Sequence, residues 1–276
     1  MRVPGIFVWL LAALSLAACT TSDLPPTGAP VRVESEAAGA TLALSTEDGR
    51  SVDVTILTPQ DPVGVLLFSH GGGSSPEGMR PILDHTDSRA MPADRRTDIF
   101  GAFPTRVADL KATAAFVAER YPDLPLGTFG YSYGSLIAIV GAGALMPAID
   151  GQIEGLDAVV MFSSPGPIPV LTDAPGAFDD VEEPTLLITG TADVVPQFVP
   201  DPKSHLVYFE RLPAGDHTAL VVEGATHGFV AGTEPGIEEV SPLVLAFLRS
   251  RMLGDPVATA RFDAAQSSDR VDMRRR

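Results

Sequence analysis

Five short apolar runs limit what this chain can become more than any other feature. Residues 63–69 (VGVLLFS), 126–131, 158–162, 185–189 and 218–222 carry no charged side chain, and each is shorter than a typical helix. A strand with one wet face alternates apolar and polar residues; an unbroken run of strand length belongs to a strand covered on both faces. Segments of helical period lie between the runs. Along 103–121, Phe103, Val107, Leu110, Ala114, Val117 and Tyr121 recur at steps of four and three. Arg106, Asp109, Lys111 and Glu119 fall off that stripe, and Pro122 ends it. Residues 136–145 are apolar nearly all round, as a central helix would be, and 242–252 read as a closing helix. Buried strands alternating with helices predict a mostly parallel sheet with right-handed crossovers, and function at the C-terminal ends of its strands. Upstream, 40–58 read as an outer antiparallel hairpin. Leu42 and Leu44 alternate before the turn signal Glu47-Asp48-Gly49, and Val52, Val54 and Ile56 after it.

The N-terminus carries an address. Met1-Arg2 is followed by an apolar run over 6–18, too short to span a bilayer, which needs about 20 residues. Residues 1–18 are therefore expected to be an export signal. Leu16-Ala17-Ala18-Cys19 is similar to the bacterial lipobox, which implies lipid attachment at Cys19 and a membrane anchor there. Cys19 is the single cysteine, so no intramolecular disulfide can form. Residues 19–30, rich in Thr, Ser, Pro and Gly, suit a tether. The expected location is the cell envelope, on the outer membrane in a Gram-negative cell since Thr20 and not Asp follows the cysteine; a soluble secreted or periplasmic protein is the alternative.

The 276 residues, 45% of them hydrophobic, then leave 31–254 for the core domain, with 255–276 expected as a poorly specified tail ending in a solvated Arg274-Arg275-Arg276. A net charge of -16 excludes nucleic acid as a natural partner, because phosphate backbones would be repelled.

Three motifs fall at predicted strand ends. Gly130-Tyr131-Ser132-Tyr133-Gly134 stands between a strand and a helix. A serine on so tight a turn needs glycine on both sides, and the turn lifts its hydroxyl clear of the sheet. The helix that follows aims its N-terminus at the reacting oxygen, where negative charge is favoured. A hydroxyl is a poor nucleophile without a base. His227, in the glycine-bounded loop after 218–222, is the candidate base. Asp193, in the turn after 185–189, is the candidate acid that would orient the imidazole and stabilise its cation. An oxyanion hole is also required, and losing one of its donors costs about 3–4 kcal/mol of transition-state stabilisation. The His70-Gly71-Gly72-Gly73 turn is expected to supply one N–H, from Gly72 or else Gly71, and Tyr133 another.

Together HGGG, GYSYG, GTAD and GATHGF resemble the α/β-hydrolase superfamily, in the branch of dienelactone-hydrolase-like and acetylhydrolase-like esterases. The resemblance covers about 63–248. It implies the α/β-hydrolase fold, with helices on both sheet faces and no large cap. Nucleophile, acid and base fall on Ser132, Asp193 and His227, in the chain order this fold uses. One departure stands out. Only 74–80 separate Gly73 from Pro81-Ile82-Leu83-Asp84, so the first helix is expected to be truncated. Loops 84–101 and 165–180 would then flank the site.

The expected reaction is hydrolysis of a carboxylic ester, small or polymeric, through an acyl-enzyme, with no cofactor. Because His227 must be neutral to take a proton, activity should rise with pH as it deprotonates. The same triad in a thioesterase, amidase or peptidase is the near alternative. A non-catalytic envelope lipoprotein that uses the fold as a binding scaffold is the distant one. No metal site is expected, since the histidines are scattered and HExxH is absent. His217 and His70 read as structural, and His85 and His205 as solvated. Tyr133 and Phe229 suit either an acyl pocket or plain packing. The natural substrate, its acyl length and the oligomeric state have no signature in the sequence.

Overall fold

The computed structural model describes residues 7–12, 40–45, 50–57, 62–72 and 101–276. One nine-stranded sheet, in the order β2-β3-β1-β4-β5-β6-β7-β8-β9, organises them. Its strands are β1 Phe7–Ala12, β2 Ala40–Ser45, β3 Ser51–Leu57, β4 Pro62–Ser69, β5 Leu126–Tyr131, β6 Leu156–Phe162, β7 Thr185–Ala192, β8 His217–Thr226 and β9 Val271–Arg275. The helices are α1 Phe103–Arg120, α2 Tyr133–Gly141, α3 Pro169–Thr172, α4 Val207–Arg211, α5 Ile237–Leu253 and α6 Pro256–Ala264.

Strands β4 to β8 run parallel, in sequence order, as the five apolar runs predict. Their side chains feed two cores. On one face Val65, Leu67, Val159, Met161 and Leu187 pack with α1 and α2. On the other, Leu66, Phe68, Val160, Leu186 and Leu220 pack with α5 and α6. Each fully buried Leu, Val or Phe contributes about 1.5–3 kcal/mol of hydrophobic stabilisation before chain entropy is counted. The period-2 face of each strand thus fixes which helix layer it holds.

β2 and β3 form the expected hairpin, with Leu42 opposite Val54 and Leu44 opposite Val52. β1 lies parallel to β3 and antiparallel to β4. Its residues belong to the stretch expected as an export signal; here they fill a place in the sheet between β3 and β4. Cys19, the tether, the 47–49 turn, Gly73, the expected short helix at 74–80, the strand-like 81–84, and the loop to residue 100 with His85 all lie outside the described residues. Among the described residues no helix is long and apolar enough to cross a membrane.

Several elements differ from expectation. α2 starts at Tyr133, directly behind Ser132, and ends before Gly143, whose φ of 102° stops it. α5 begins five residues earlier than Pro242 suggests, with the proline inside the helix at the cost of one backbone hydrogen bond. The expected tail is ordered. Asp255 caps α6 by accepting from the N–H groups of Val257 and Ala258, and Pro256 occupies the first turn. β9 then pairs antiparallel with β8. The three terminal arginines are exposed, as expected, yet two of them tie the end down: Arg275 donates to the carbonyls of Phe262 and Ala265, and Arg276, just past β9, to that of Glu210. A charged edge strand discourages pairing with another chain, which explains why this strand looks like a tail in sequence. Asp109, off the apolar stripe of α1, is also buried, paired with Arg50 at 2.8 Å.

Candidate active site

Ser132 lies on the turn between β5 and α2 at φ 52° and ψ −120°, a conformation that costs a non-glycine residue of order 1–3 kcal/mol. Close packing enforces it. A Cβ on Gly130 would stand 2.3 Å from the Gly134 carbonyl oxygen, and one on Gly134 would stand 1.9 Å from that of Ser69. Neither glycine can carry a side chain. The Ser132 N–H donates to Phe162 at 2.8 Å, which ties the turn to the end of β6.

The three residues expected at strand ends come together there. His227 Nε2 lies 3.1 Å from Ser132 Oγ, and His227 Nδ1 lies 2.7 Å from Asp193 Oδ1. The imidazole is partly open, with 23% of its side chain exposed, while Asp193 is fully buried. Thr189 donates to the second carboxylate oxygen of Asp193 at 2.8 Å. From the end of β5, Tyr131 donates to the His227 carbonyl at 2.9 Å and packs its ring against the imidazole. Tyr131 therefore fixes the loop that carries His227.

His205 is the correction that matters most. Instead of being solvated it has no exposed surface, and its Nε2 lies 2.9 Å from Asp193 Oδ1. One carboxylate oxygen thus serves two imidazoles, whose rings stack with centroids 5.6 Å apart. Burial works against ionisation of Asp193, but the hydrogen bonds and charges of His205 and His227 outweigh it and hold the carboxyl well below the ordinary range. For His205, burial favours the neutral form, and the hydrogen bond and charge of Asp193 overcome it, so its proton is held more tightly than usual. His205 sits on a 3₁₀ turn, Pro202–Leu206, started by Asp201 accepting from the Lys203 N–H.

On the other side of Ser132 stands the turn after β4. A Cβ on Gly71 would lie 3.3 Å from that of Ser132, so of the two expected donors Gly71 abuts the serine; Gly72 follows it in the turn. Tyr133 follows Ser132 at the start of α2, its ring edge-on to Phe103. Arg106 reaches up from α1 to donate to Ser69 Oγ and the His70 carbonyl, and its guanidinium covers the Tyr133 ring at 5.3 Å. Sequence reasoning missed Arg106 because it lies off the apolar stripe. His70 is buried; its Nδ1 faces the Gly71 carbonyl at 2.8 Å and must carry the proton, while Nε2 has no hydrogen-bond partner among the described residues. Burial first, then the charge of Arg106, lower its pKa to about 3 against the pull of that carbonyl.

The remaining candidates are structural. His217 is buried at the start of β8 against Thr185. Phe229 is 1% exposed and stacks on Phe162, and Tyr133 is buried in the core. Loop 165–180 is anchored by Leu171 and Phe178 in the core. Asp193, His205 and His227 are also the one cluster of metal-ligating type among the described residues. Their nitrogens stand 2.7 and 2.9 Å from one shared oxygen, the spacing of a shared proton. A zinc bonded at about 2.0–2.1 Å to each would need them opened further, so the contacts are hydrogen bonds.

No protein-family model matches the chain, and no curated protein resembles it significantly in sequence. Solved structures resemble it in fold. The Pyrococcus furiosus esterase Pf2001, in its P212121, P21 and C2221 crystals, matches with TM-scores of 0.54, 0.53 and 0.52 at 18% identity. The matches cover 78% of this chain and 92%, 93% and 91% of that one. What is shared is the α/β-hydrolase fold.

Proposed function

We propose that the protein is a serine hydrolase that cleaves carboxylic esters through an acyl-enzyme. The observation that carries this reading is the continuous hydrogen-bonded line from Ser132 through His227 to Asp193, with Ser132 held at φ 52° on a tight strand-to-helix turn. The fold likeness to an esterase supports the choice of bond, and the motif set supports the dienelactone-hydrolase-like branch.

In this mechanism Ser132 Oγ attacks the ester carbonyl while His227 Nε2 takes its proton. Asp193, bonded to Nδ1, keeps the ring in the tautomer that leaves Nε2 free to accept. The tetrahedral oxyanion rests on the N–H of Tyr133 at the helix start and on that of Gly71 or Gly72. His227 then protonates the departing alcohol, and water repeats the sequence on the acyl-serine. The proposed address is the cell envelope, through export and lipid attachment at Cys19, where substrates are esters that reach the cell surface. Labelled-lipid incorporation lost in Cys19→Ser tests that part.

The test of the chemistry is a fluorophosphonate probe, read by intact mass, beside hydrolysis of p-nitrophenyl acetate to octanoate. The expected result is one adduct on wild type, none on Ser132→Ala, and slow labelling of His227→Ala and Asp193→Ala. Folded wild type that is neither labelled nor active would overturn the reading and favour a binding scaffold.

A further inference from the structure

Among the described residues the hydrogen-bonding atoms that face the His205 ring nitrogens are three, and every one is an acceptor. Its Nδ1 faces the Ser164 carbonyl. Its Nε2 faces the Asp193 carbonyl at 3.0 Å and the Asp193 carboxylate at 2.9 Å. A neutral imidazole offers one N–H and one lone pair. Either neutral tautomer would aim a lone pair at an oxygen lone pair in a site sealed from water, which costs the desolvation of both groups. Only the imidazolium donates at both nitrogens. The frame around it is rigid, since Ser164 Oγ donates back to the His205 carbonyl at 2.7 Å.

We propose that His205 is a positioning residue that stays doubly protonated while the enzyme works, cancelling the charge of Asp193 so that His227 remains a neutral base at lower pH than a lone carboxylate would allow. The kinetic half of this rests on the serine-hydrolase reading; the charge state rests on the hydrogen-bond geometry. A positive ring stacked on His227 opposes a second positive charge there, and a neutralised Asp193 attracts it less. The other groups facing the pair do not undo this. Tyr131, from the end of β5, is kept uncharged by burial and by the negative charges of Asp193 and Glu234. Lys203, on the same turn as His205, is exposed. The arrangement separates two tasks that an ordinary triad acid combines. Asp193 still orients His227 through Oδ1, while much of its field ends on His205.

Two measurements test this. In wild type, ¹⁵N NMR of the imidazole rings, assigned with single-histidine variants, should show both His205 nitrogens protonated from pH 6 to 8. In His205→Gln, which is neutral, the acid limb of the kcat/KM profile should move up by about one pH unit. At a pH on the limb that is about a tenfold loss relative to the variant's own plateau, which a merely structural role would not produce. An unprotonated His205 nitrogen at neutral pH would overturn the proposal whether or not the variant folds. So would an unmoved limb in a folded variant. Absence of Ser132 labelling in wild type would instead sink the hydrolase reading, and the NMR result would still decide the charge of His205.

Discussion

On one side of Ser132, beside Asp193, lies His205, and on the other, at the turn bearing Gly71, lies His70; both imidazoles are buried, at 0% and 4% exposure. Burial alone would leave both neutral, because a charged ring loses its hydration. Their neighbours send them in opposite directions. His205 meets two carbonyls and a carboxylate and holds its proton more tightly than usual. His70 meets one carbonyl and the guanidinium of Arg106, and its pKa falls to about 3. What the pair teaches is that burial leaves a histidine neutral, as at His70, unless hydrogen-bond acceptors and an adjacent negative charge overcome it, as at His205. It also divides the site by electrostatic task. The Asp193 side is a compensated pair, Asp193 with His205. The Gly71 side keeps a cation, Arg106, in contact with the turn that abuts Ser132.

The strongest way to break the comparison is Asp193→Asn. It turns one carboxylate oxygen into an NH2 donor, which favours the wrong tautomer of His227, and it removes the counter-charge of His205. Hydrolysis should fall by about 10⁴-fold, as when a triad acid loses its charge. Stability should fall by about 3–5 kcal/mol, because breaking a buried pair strands the other charge. Urea unfolding and kcat on one ester measure both. Retention of a tenth of the activity would mean that Asp193 is not the working acid.

Arg106→Met attacks the other side. It deletes the donors to Ser69 Oγ and the His70 carbonyl and lets the turn bearing Gly71 relax. The expected loss is about 10- to 100-fold in kcat with a smaller change in KM, since a displaced oxyanion donor is felt mainly in the transition state. His70, freed of the neighbouring cation, should titrate closer to its ordinary value in NMR. Equal effects on kcat and KM would place Arg106 in substrate binding instead.

How far the sequence exposed these features depends on how local their causes are. The parallel strands are legible because a strand buried on both faces writes its own unbroken apolar run. Ser132, Asp193 and His227 are legible because each follows such a run within a few residues. His205 leaves no such trace: Asp201-Pro202-Lys203-Ser204 looks like a wet turn, and only the folded turn brings the next residue to Asp193. Arg106 shows the same blindness. A helical stripe identifies the apolar face of α1, but it says nothing of which off-stripe side chain bends back to the sheet. The ordered C-terminus is a different case, because Asp255-Pro256 is a readable helix start, whereas β9 is hidden by the charges that protect a sheet edge.

The smallest effect sharpens the comparison most, because it predicts slopes of opposite sign. His70 has a folded pKa of about 3 against an ordinary value of 6.5. Between those values the unfolded chain binds a proton that the folded chain refuses, so the stability His70 confers is full above pH 6.5 and drains away on acidification. His205 runs the other way. Its folded pKa is raised, so its contribution is full below its ordinary value of 6.5 and is lost as pH rises through the folded one. Subtracting the unfolding free energy of His70→Gln from that of wild type should give a difference that grows with pH from about 4 to 6.5. The same subtraction for His205→Gln should give one that shrinks as pH rises above 6.5. Neither slope can exceed about 1.4 kcal/mol per pH unit, the limit for one proton. Chemical denaturation at five or six pH values suffices for both. Two slopes of the same sign would show that burial, and not the adjacent charge, governs these histidines, and the division of the site into a compensated and a cationic side would fall with it.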